Sequence, residues 1–389
     1  MDLKIFMSIY TSAEKNLKDI CPRDEYGKIV LPMVFIARLD SLLEESRERV
    51  LALKKKIDDE KADYTYSVFF RETGLNFCNV SPHRLKDFAN GGFAESLDKQ
   101  TAVNEFVLYL DSFSPNVRSV LRDFGIYGEV AELVDKGVLS SVVGDYYNLF
   151  SQPSPKDDGY GIIADDSQTV IDNQTMCTLF DMLFDFFFTD GGSGNYDYST
   201  PSDVSRLMSD LLFMPVSDKI GDGEYSVYDG ACGLGDTVTS AYNKLSEIAE
   251  SRGKQAAVNV FGQEKYQIIS VVCRALMILR GDNIPTENLE FGSTISHDKF
   301  SDRKFDFMIS CPPLGKSWKE NAEQMGGKKN IDDKRFVNHK GSMVPRLSDS
   351  QFLFMLNNVS KMNFDSVLGS RIVELHNGSP FNGGSLTSP

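Results

Sequence analysis

The chain has 389 residues, of which 41% are hydrophobic and 25% charged, so it has globular composition and enough length for two or three domains. The formal charge of −15 excludes a protein that binds nucleic acid with its whole surface, because neutralising phosphates requires clustered Lys and Arg. There is no run of about 18 apolar residues that could span a membrane, and the N-terminus lacks the pattern of a secretory signal. We therefore expect a cytoplasmic protein without a membrane partner.

The six cysteines are widely spaced and include no C-x-x-C pair. This spacing favours reduced thiols over a disulfide framework or a zinc site. The four histidines are isolated from one another along the sequence. We expect no metal.

Residues 1–150 are predicted to form an α-helical N-terminal domain. From Lys28 to about Lys56 the apolar residues recur at spacings of three and four, which predicts one amphipathic helix. The run RERVLALKKKIDDEK mixes both charge signs and is typical of a solvated helix face. Similar spacing predicts helices over 101–109, 115–124 and 127–139.

Residues 151–389 are predicted to form a second, α/β domain. The polar segments 151–161 and 191–201 read as loops, and helices are predicted over 178–188 and 202–213. After Glu224 short β runs alternate with helices, which indicates a parallel, doubly wound sheet. The predicted strands are YSVYDG, VNVFGQE, LEFGST, FDFMIS and SRIVELHN, and the helices between them cover 236–252, 267–279 and a stretch ending near 362.

Four predicted strands end in residues that suit a ligand site. The first ends in DGACGLG (229–235), whose glycines permit a sharp turn and a close backbone approach, and the second ends in Glu264, an acid able to accept hydrogen bonds from ribose hydroxyls. The third ends at Gly292 and the fourth at Cys311, so all four meet at one edge of the sheet. The glycine run alone is a weak signal, and a tight turn without a ligand remains an alternative.

The order YDGACGLG, FGQE, FGSTI, FDFMISCPPLGKSW resembles the modification (methylation) subunit of type I restriction-modification systems. These are N6-adenine DNA methyltransferases that use S-adenosylmethionine. Segments elsewhere also resemble this family. DEYGKIVLPMVFIARLDSLLEE resembles its N-terminal helical region, and FSPNVRSVLRDFGI resembles its connecting segment. YSTPSDVSRLM resembles its cofactor-capping T-P-R motif, and GSRIVELHNGSPFNGG resembles its fifth strand. The resemblance implies a Rossmann-like methyltransferase domain behind a helical domain.

The resemblance also implies roles for individual residues and for partners. It assigns the methionine part of the cofactor to Asp229, Ala231, Gly233 and Gly235, the cofactor ribose to Glu264, and the capping of the cofactor to Thr200 and Pro201. The catalytic corner would be Cys311, Pro312, Pro313 and Leu314. The implied partners are DNA, a specificity subunit, a restriction subunit and a second methylation subunit.

The catalytic corner departs from the family pattern, which is N-P-P-Y or N-P-P-F. In the family the Asn and the following carbonyl hold the adenine amino group, and the aromatic residue stacks on the flipped base. Cys311 is a poorer acceptor than a carboxamide, and Leu314 cannot stack, at roughly 1 to 3 kcal/mol each. Together these losses predict methyl transfer slowed by roughly thirtyfold to ten-thousandfold. Asp236 and Ser202 are milder departures, standing where the family has Gly and the Arg of T-P-R.

Three other interpretations remain open at this stage. The chain could be a non-catalytic homologue that binds cofactor or serves assembly, Cys311 could be a nucleophile as in cytosine-C5 methylation, or the fold could be a dehydrogenase. The last is disfavoured because DGACGLG lacks the G-x-G-x-x-G spacing. In the family two more strands and a helical region follow the fifth strand, so the sequence is expected either to be truncated after that strand or to have the remainder supplied by another chain.

Overall fold

The computed structural model describes residues 3–89, 92, 96–150, 152–153, 160–164, 167–188, 198–281 and 284–378. The chain forms two compact units, Met1–Asn195 with Ala275–Asn283, and Tyr196–Arg274 with Ile284–Pro389. The division into domains 1–150 and 151–389 stays a prediction. Within the described ranges, no helix combines the length and apolar character needed to cross a membrane.

The first unit is mainly α-helical, as predicted. Its helices are α1 Leu3–Leu17, α2 Gly27–Leu43, α3 Arg47–Glu60, α4 Ser67–Thr73, α5 Lys99–Asp111, α6 Pro115–Phe124, α7 Ile126–Asp135, α8 Leu139–Phe150 and α9 Asn173–Phe188. Helix α2 is buried on nearly all faces and packs against α6, α7, α8 and α9. It therefore forms the centre of this unit.

The prediction of one amphipathic helix from Lys28 to about Lys56 was wrong. A 3₁₀ turn at Glu44–Ser46 separates α2 from α3. The apolar run stops at Leu43 and resumes at Val50, so no continuous stripe crosses the turn. The buried Arg47 side chain donates to the carbonyls of Ser81 and His83, at 2.9 and 2.6 Å, and this holds the start of α3.

Two further boundaries differ from expectation. The predicted helix over 127–139 ends at Asp135, because Gly137 adopts a φ of 72° and the N–H of Val138 bonds back to the carbonyl of Leu133. Part of the predicted loop 151–161 is extended: β1 Gln152–Pro153, β2 Tyr160–Ala164 and β3 Ser167–Val170 form an antiparallel sheet. Residues 154–159, and most of the predicted loop 191–201, lie outside the described residues.

The second unit is built on a five-stranded parallel sheet, which confirms the predicted α/β class. Its strands run in the order β10 Arg371–Glu374, β7 Phe307–Ser310, β4 Gly223–Asp229, β5 Ala256–Glu264 and β6 Leu289–Phe291. Its helices are α10 Ser202–Phe213, α11 Asp236–Ser251, α12 Gln267–Arg280, α13 Lys319–Gln324 and α14 Gln351–Ser360. Helix α12 is shared, since Ala275–Asn283 belongs to the first unit. This unit also contains a small hairpin, β8 Val337–Asn338 with β9 Gly341–Ser342, and 3₁₀ turns at Met214–Val216 and Lys328–Asn330.

The strand order places a switch point between β4 and β7. From β4 the chain winds outward through β5 to β6, and then returns to the other side of β4 as β7. Their loops therefore diverge at the carboxyl ends of β4 and β7, which is where open α/β sheets form a crevice. Stacked rings beside the two strands, Tyr228 and Phe305 with centroids 4.5 Å apart, help to fix this part of the sheet.

Two helical glycines in the first unit give opposite predictions. A Cβ at the buried Gly27 would lie 2.3 Å from Phe188 Cε2 and 2.9 Å from Phe187 Cβ, whereas nothing lies within 4 Å at the exposed Gly128. We expect Gly27→Ala to lower the free energy of unfolding by about 1 to 3 kcal/mol. Gly128→Ala should raise it by about 0.5 to 1 kcal/mol. Urea denaturation measures both, and equal effects would contradict the packing described for α2.

Candidate functional site

The buried carboxylate of Asp229 organises the end of β4. One oxygen accepts hydrogen bonds from the backbone N–H of Ala231 (2.8 Å) and the Ser310 hydroxyl (2.7 Å), and the other accepts from the Thr237 hydroxyl (2.5 Å). Burial raises the pKa of Asp229 to about 6, and the three hydrogen bonds act in the opposite direction. Asp229 thus joins the ends of β4 and β7 to the first turn of α11.

The glycine turn after β4 is shaped by a neighbouring piece of backbone. Gly233 has a φ of 52°, and a Cβ there would lie 2.2 Å from the carbonyl oxygen of Tyr198. That carbonyl accepts the N–H of Leu234 at 2.9 Å. Gly235, with a φ of 86°, precedes α11. Contacts within the protein therefore account for glycine at position 233 without a ligand, so the glycines by themselves do not demonstrate a cofactor site.

A second buried carboxylate, Glu264, ends the neighbouring strand β5. It accepts the N–H of Gly233 at 3.2 Å and the N–H of Tyr266 at 2.9 Å, one on each oxygen. Burial raises the pKa of Glu264 to about 7, with the backbone donors opposing. Each oxygen keeps capacity for another donor, as a pair of ribose hydroxyls would require.

The segment 198–201 is attached to the glycine turn through Asp236. This carboxylate, the first residue of α11, accepts the Ser199 hydroxyl at 2.9 Å and the backbone N–H of Thr200 at 3.0 Å. Pro201 follows and precedes α10. Asp236, a predicted departure from the family pattern, thus fixes the segment that contains the predicted capping residues.

The double-proline corner lies beside these residues at the end of β7. The half-buried Cys311 thiol interacts with the Thr200 side chain, and burial raises the pKa of the thiol. A raised pKa leaves the thiol protonated at neutral pH, which disfavours the nucleophile interpretation. Pro312 is buried and Pro313 half-buried, whereas the Leu314 side chain is 40% exposed.

Two aromatic residues at the same edge were missed in the sequence. Tyr266 and Phe291 are 52% and 50% exposed. Tyr266 follows Glu264 by two residues, and Phe291 pairs with Glu264 across β5 and β6. A large aromatic ring one or two residues after an acidic residue near a strand end is a signal that could have found them.

Arg335, also missed, anchors the loop after β6. Its guanidinium donates to the carbonyls of Thr294 (2.6 Å) and Ile295 (2.8 Å), and forms an ion pair with Asp298 at 3.3 Å. The Thr294 hydroxyl in turn donates to the carbonyl of Gly230 at 2.5 Å. No local pattern in the sequence indicates this role, because the partners lie about forty residues away.

The predicted site residues therefore converge at the carboxyl edge of the sheet in the second unit. The Ala231 amide is bonded to Asp229, the Gly233 amide is bonded to Glu264, and the Thr200 side chain interacts with Cys311 of the corner. Leu314 is the most exposed residue of the corner. Among the described residues, no group of three His, Cys, Asp or Glu side chains could hold a metal ion.

Comparison with models of known protein families identifies the family of this chain. The family model described as N-6 DNA Methylase matches residues 172–385, more than half of the chain. The chain belongs to the N-6 DNA methylase family. A second model, the HsdM N-terminal domain, matches residues 9–145. The predicted kinship with type I modification subunits is confirmed.

Two curated relatives agree with this family. The chain is 23% identical over 340 residues to the type I restriction enzyme MjaIX methylase subunit of Methanocaldococcus jannaschii, covering 85% of this chain and 54% of that protein. It is 26% identical over 136 residues to the EcoEI methylase subunit of Escherichia coli, covering 33% of this chain and 25% of that protein. The chain thus spans about half the length of the first relative and a quarter of the second.

Solved structures share the fold. The methyltransferase subunit of a Streptococcus thermophilus type I system matches with a TM-score of 0.62 at 20% identity, covering 99% of this chain and 76% of that one. A modification subunit of a putative type I enzyme from Vibrio vulnificus matches with a TM-score of 0.51 at 14% identity, covering 99% and 73%.

The raised pKa of Glu264 predicts a pH-dependent stability. The folded state disfavours ionisation of this group. Its protonated form therefore contributes fully to folding stability below pH 4.5, its ordinary pKa, and this contribution is lost as the pH rises through about 7. Glu264→Gln cannot ionise. The free energy of unfolding of the variant, minus that of the unmodified chain, should therefore increase by roughly 2 to 3 kcal/mol as the pH is raised from about 5 to 8. Urea denaturation across this range tests it, with the exposed Glu287→Gln as control; a flat difference for Glu264→Gln would show that the buried carboxylate is not penalised.

The contacts of Asp236 predict local opening when they are removed. Asp236→Ala leaves the Thr200 amide without its carboxylate partner, and such a bond contributes about 1.5 to 3 kcal/mol. Hydrogen exchange of that amide should accelerate roughly tenfold or more, while the Ala231 amide, bonded to Asp229, keeps its rate. Asp203→Ala, in the first turn of α10, is the matched control. An unchanged Thr200 rate in Asp236→Ala would contradict this attachment.

Proposed function

We propose that this chain acts as the modification subunit of a type I restriction-modification system, an S-adenosylmethionine-dependent N6-adenine DNA methyltransferase. The family match and the convergence of the acidic strand ends with the double-proline corner support this function. Its partners would be DNA, a specificity subunit, a restriction subunit and a second methylation subunit, in the cytoplasm.

The carboxyl edge of the sheet offers groups that suit the cofactor. Glu264 would accept hydrogen bonds from the ribose hydroxyls of the cofactor, and the exposed rings of Tyr266 and Phe291 would flank the adenine ring of the cofactor. Asp229 is fully buried and has three internal donors, so it would act through the turn of Ala231 and Gly233 that it holds. Thr200 and Pro201 would close over the methionine part. When bound, S-adenosylmethionine supplies the methyl group for transfer.

The corner would receive the adenine base of the DNA, but it would hold that base with fewer interactions than the family's N-P-P-Y or N-P-P-F corner. Proline fixes the direction of the preceding backbone, so the carbonyl at Pro312 can still accept from the adenine amino group. Cys311 offers a protonated thiol where the family has a carboxamide, and Leu314 offers no ring for stacking. Methyl transfer by this chain would therefore be slow.

A second function is favoured by the same two residues. A chain that binds cofactor and occupies the place of a modification subunit, without methylating, would tolerate both Cys311 and Leu314. The two functions share the fold and the cofactor half of the site. They differ only in whether the unmodified chain forms N6-methyladenine.

Calorimetric titration with S-adenosylmethionine tests the cofactor half. The unmodified chain should bind saturably, and Glu264→Gln should bind at least tenfold more weakly, because one ribose acceptor becomes a donor. Asp229→Ala, checked for folding by circular dichroism, should also lose binding. A folded unmodified chain that does not bind would overturn both cofactor-binding functions and would favour a role in assembly alone.

Restoring the corner separates the two functions. Cys311→Asn with Leu314→Tyr should raise N6-methyladenine formation, in the presence of a specificity subunit, by roughly thirtyfold to ten-thousandfold. Slow but measurable methylation by the unmodified chain supports the enzyme. Methylation only in the double variant supports the non-methylating subunit, and none in either would contradict the assignment of the corner.

A further inference from the structure

A cationic lobe follows directly after the corner. The lobe is defined as residues 315–350, between β7 and α14, and contains α13 and the hairpin of β8 and β9. It has eight Lys and Arg against five Asp and Glu, a net charge of +3 in a chain of −15. Charge of the opposite sign to the rest of the protein is thus concentrated beside the candidate site.

The positive charge of the lobe is not neutralised internally. Three of its carboxylates pair with cations, Glu320 with Lys265, Glu323 with Lys319 and Asp333 with Arg335. Five other cations form no ion pair with any residue that the structure describes: Lys328, Lys329, Lys334, Lys340 and Arg346. All are exposed except Lys328, which is half-buried. Their charges therefore face solvent without a partner.

The lobe is held firmly against the site. Trp318 is fully buried, donates to the carbonyl of Arg346 at 2.8 Å, and packs with Phe336 in a cluster that Ala231 of the glycine turn also joins. Arg335 ties the lobe to the loop after β6 through the carbonyls of Thr294 and Ile295. The unpaired cations are thus mounted on a packed element that shares its core with the site.

We propose that the lobe binds the phosphate backbone of duplex DNA next to the corner 311–314. The proposal rests on the proposed function, since a base that reaches the corner must leave the stack while its flanking phosphates are held. Phosphate recognition requires clustered Lys and Arg whose charges are not already paired. The lobe meets this requirement, whereas the rest of the chain carries a net negative charge.

Fluorescence anisotropy with a labelled duplex of about 30 base pairs tests the lobe in the full chain. The variant carries Lys328→Gln, Lys329→Gln, Lys334→Gln and Lys340→Gln. Its affinity should fall at least about tenfold at low salt, and the slope of log affinity against log salt between about 50 and 200 mM should fall by about 3 to 4, since each phosphate contact contributes about 0.9.

The matched control carries Lys18→Gln, Lys55→Gln, Lys56→Gln and Lys86→Gln. These exposed lysines of the first unit change the net charge by the same amount, so the control should keep nearly the affinity and slope of the unmodified chain. Equal losses in both variants, or no DNA binding by the unmodified chain at low salt, would overturn the proposal. Titration of the same preparations with S-adenosylmethionine shows separately whether the proposed function fails.

Discussion

The site depends on two carboxylates that are buried at adjacent strand ends. A buried carboxylate is unfavourable unless donors reach it, and here most of the donors are backbone N–H groups of the turns and hydroxyls of neighbouring elements. Asp229 and Glu264 therefore dictate the path of the glycine turn between them. Placing Ser310 and Thr237 within reach of Asp229 also fixes where β7 and α11 begin or end. The geometry of the edge follows from satisfying these two charges.

The same arrangement explains why their pKa values are raised rather than lowered. Burial outweighs the hydrogen bonds at both positions, and no cation is paired with either carboxylate among the described contacts. The pKa values of the two groups, about 6 for Asp229 and about 7 for Glu264, therefore lie close to neutral pH. An edge of this kind can accept neutral hydroxyl or amide donors.

Much of the second unit could be predicted because its signals are local. Alternating β runs and helices gave the parallel sheet, and the strands ending at Asp229, Glu264 and Ser310 were located by their apolar residues and abrupt ends. The 3₁₀ break before Arg47 was missed because that side chain is fixed by carbonyls more than thirty residues away. Arg335 was missed for the same reason. Hydrogen bonds to distant backbone leave no periodicity in a sequence.

The attachment of the segment 198–201 through Asp236 has a consequence for exchanging parts between relatives. In a relative with glycine at this position, no side chain is available to hold the Thr200 amide, so that segment must be held by other contacts. The segment and the first residue of α11 are therefore expected to function as a matched pair. A chimaera that pairs this segment with a glycine at position 236 would lose both the Ser199 and the Thr200 contacts, so the segment and Asp236 should be transplanted together.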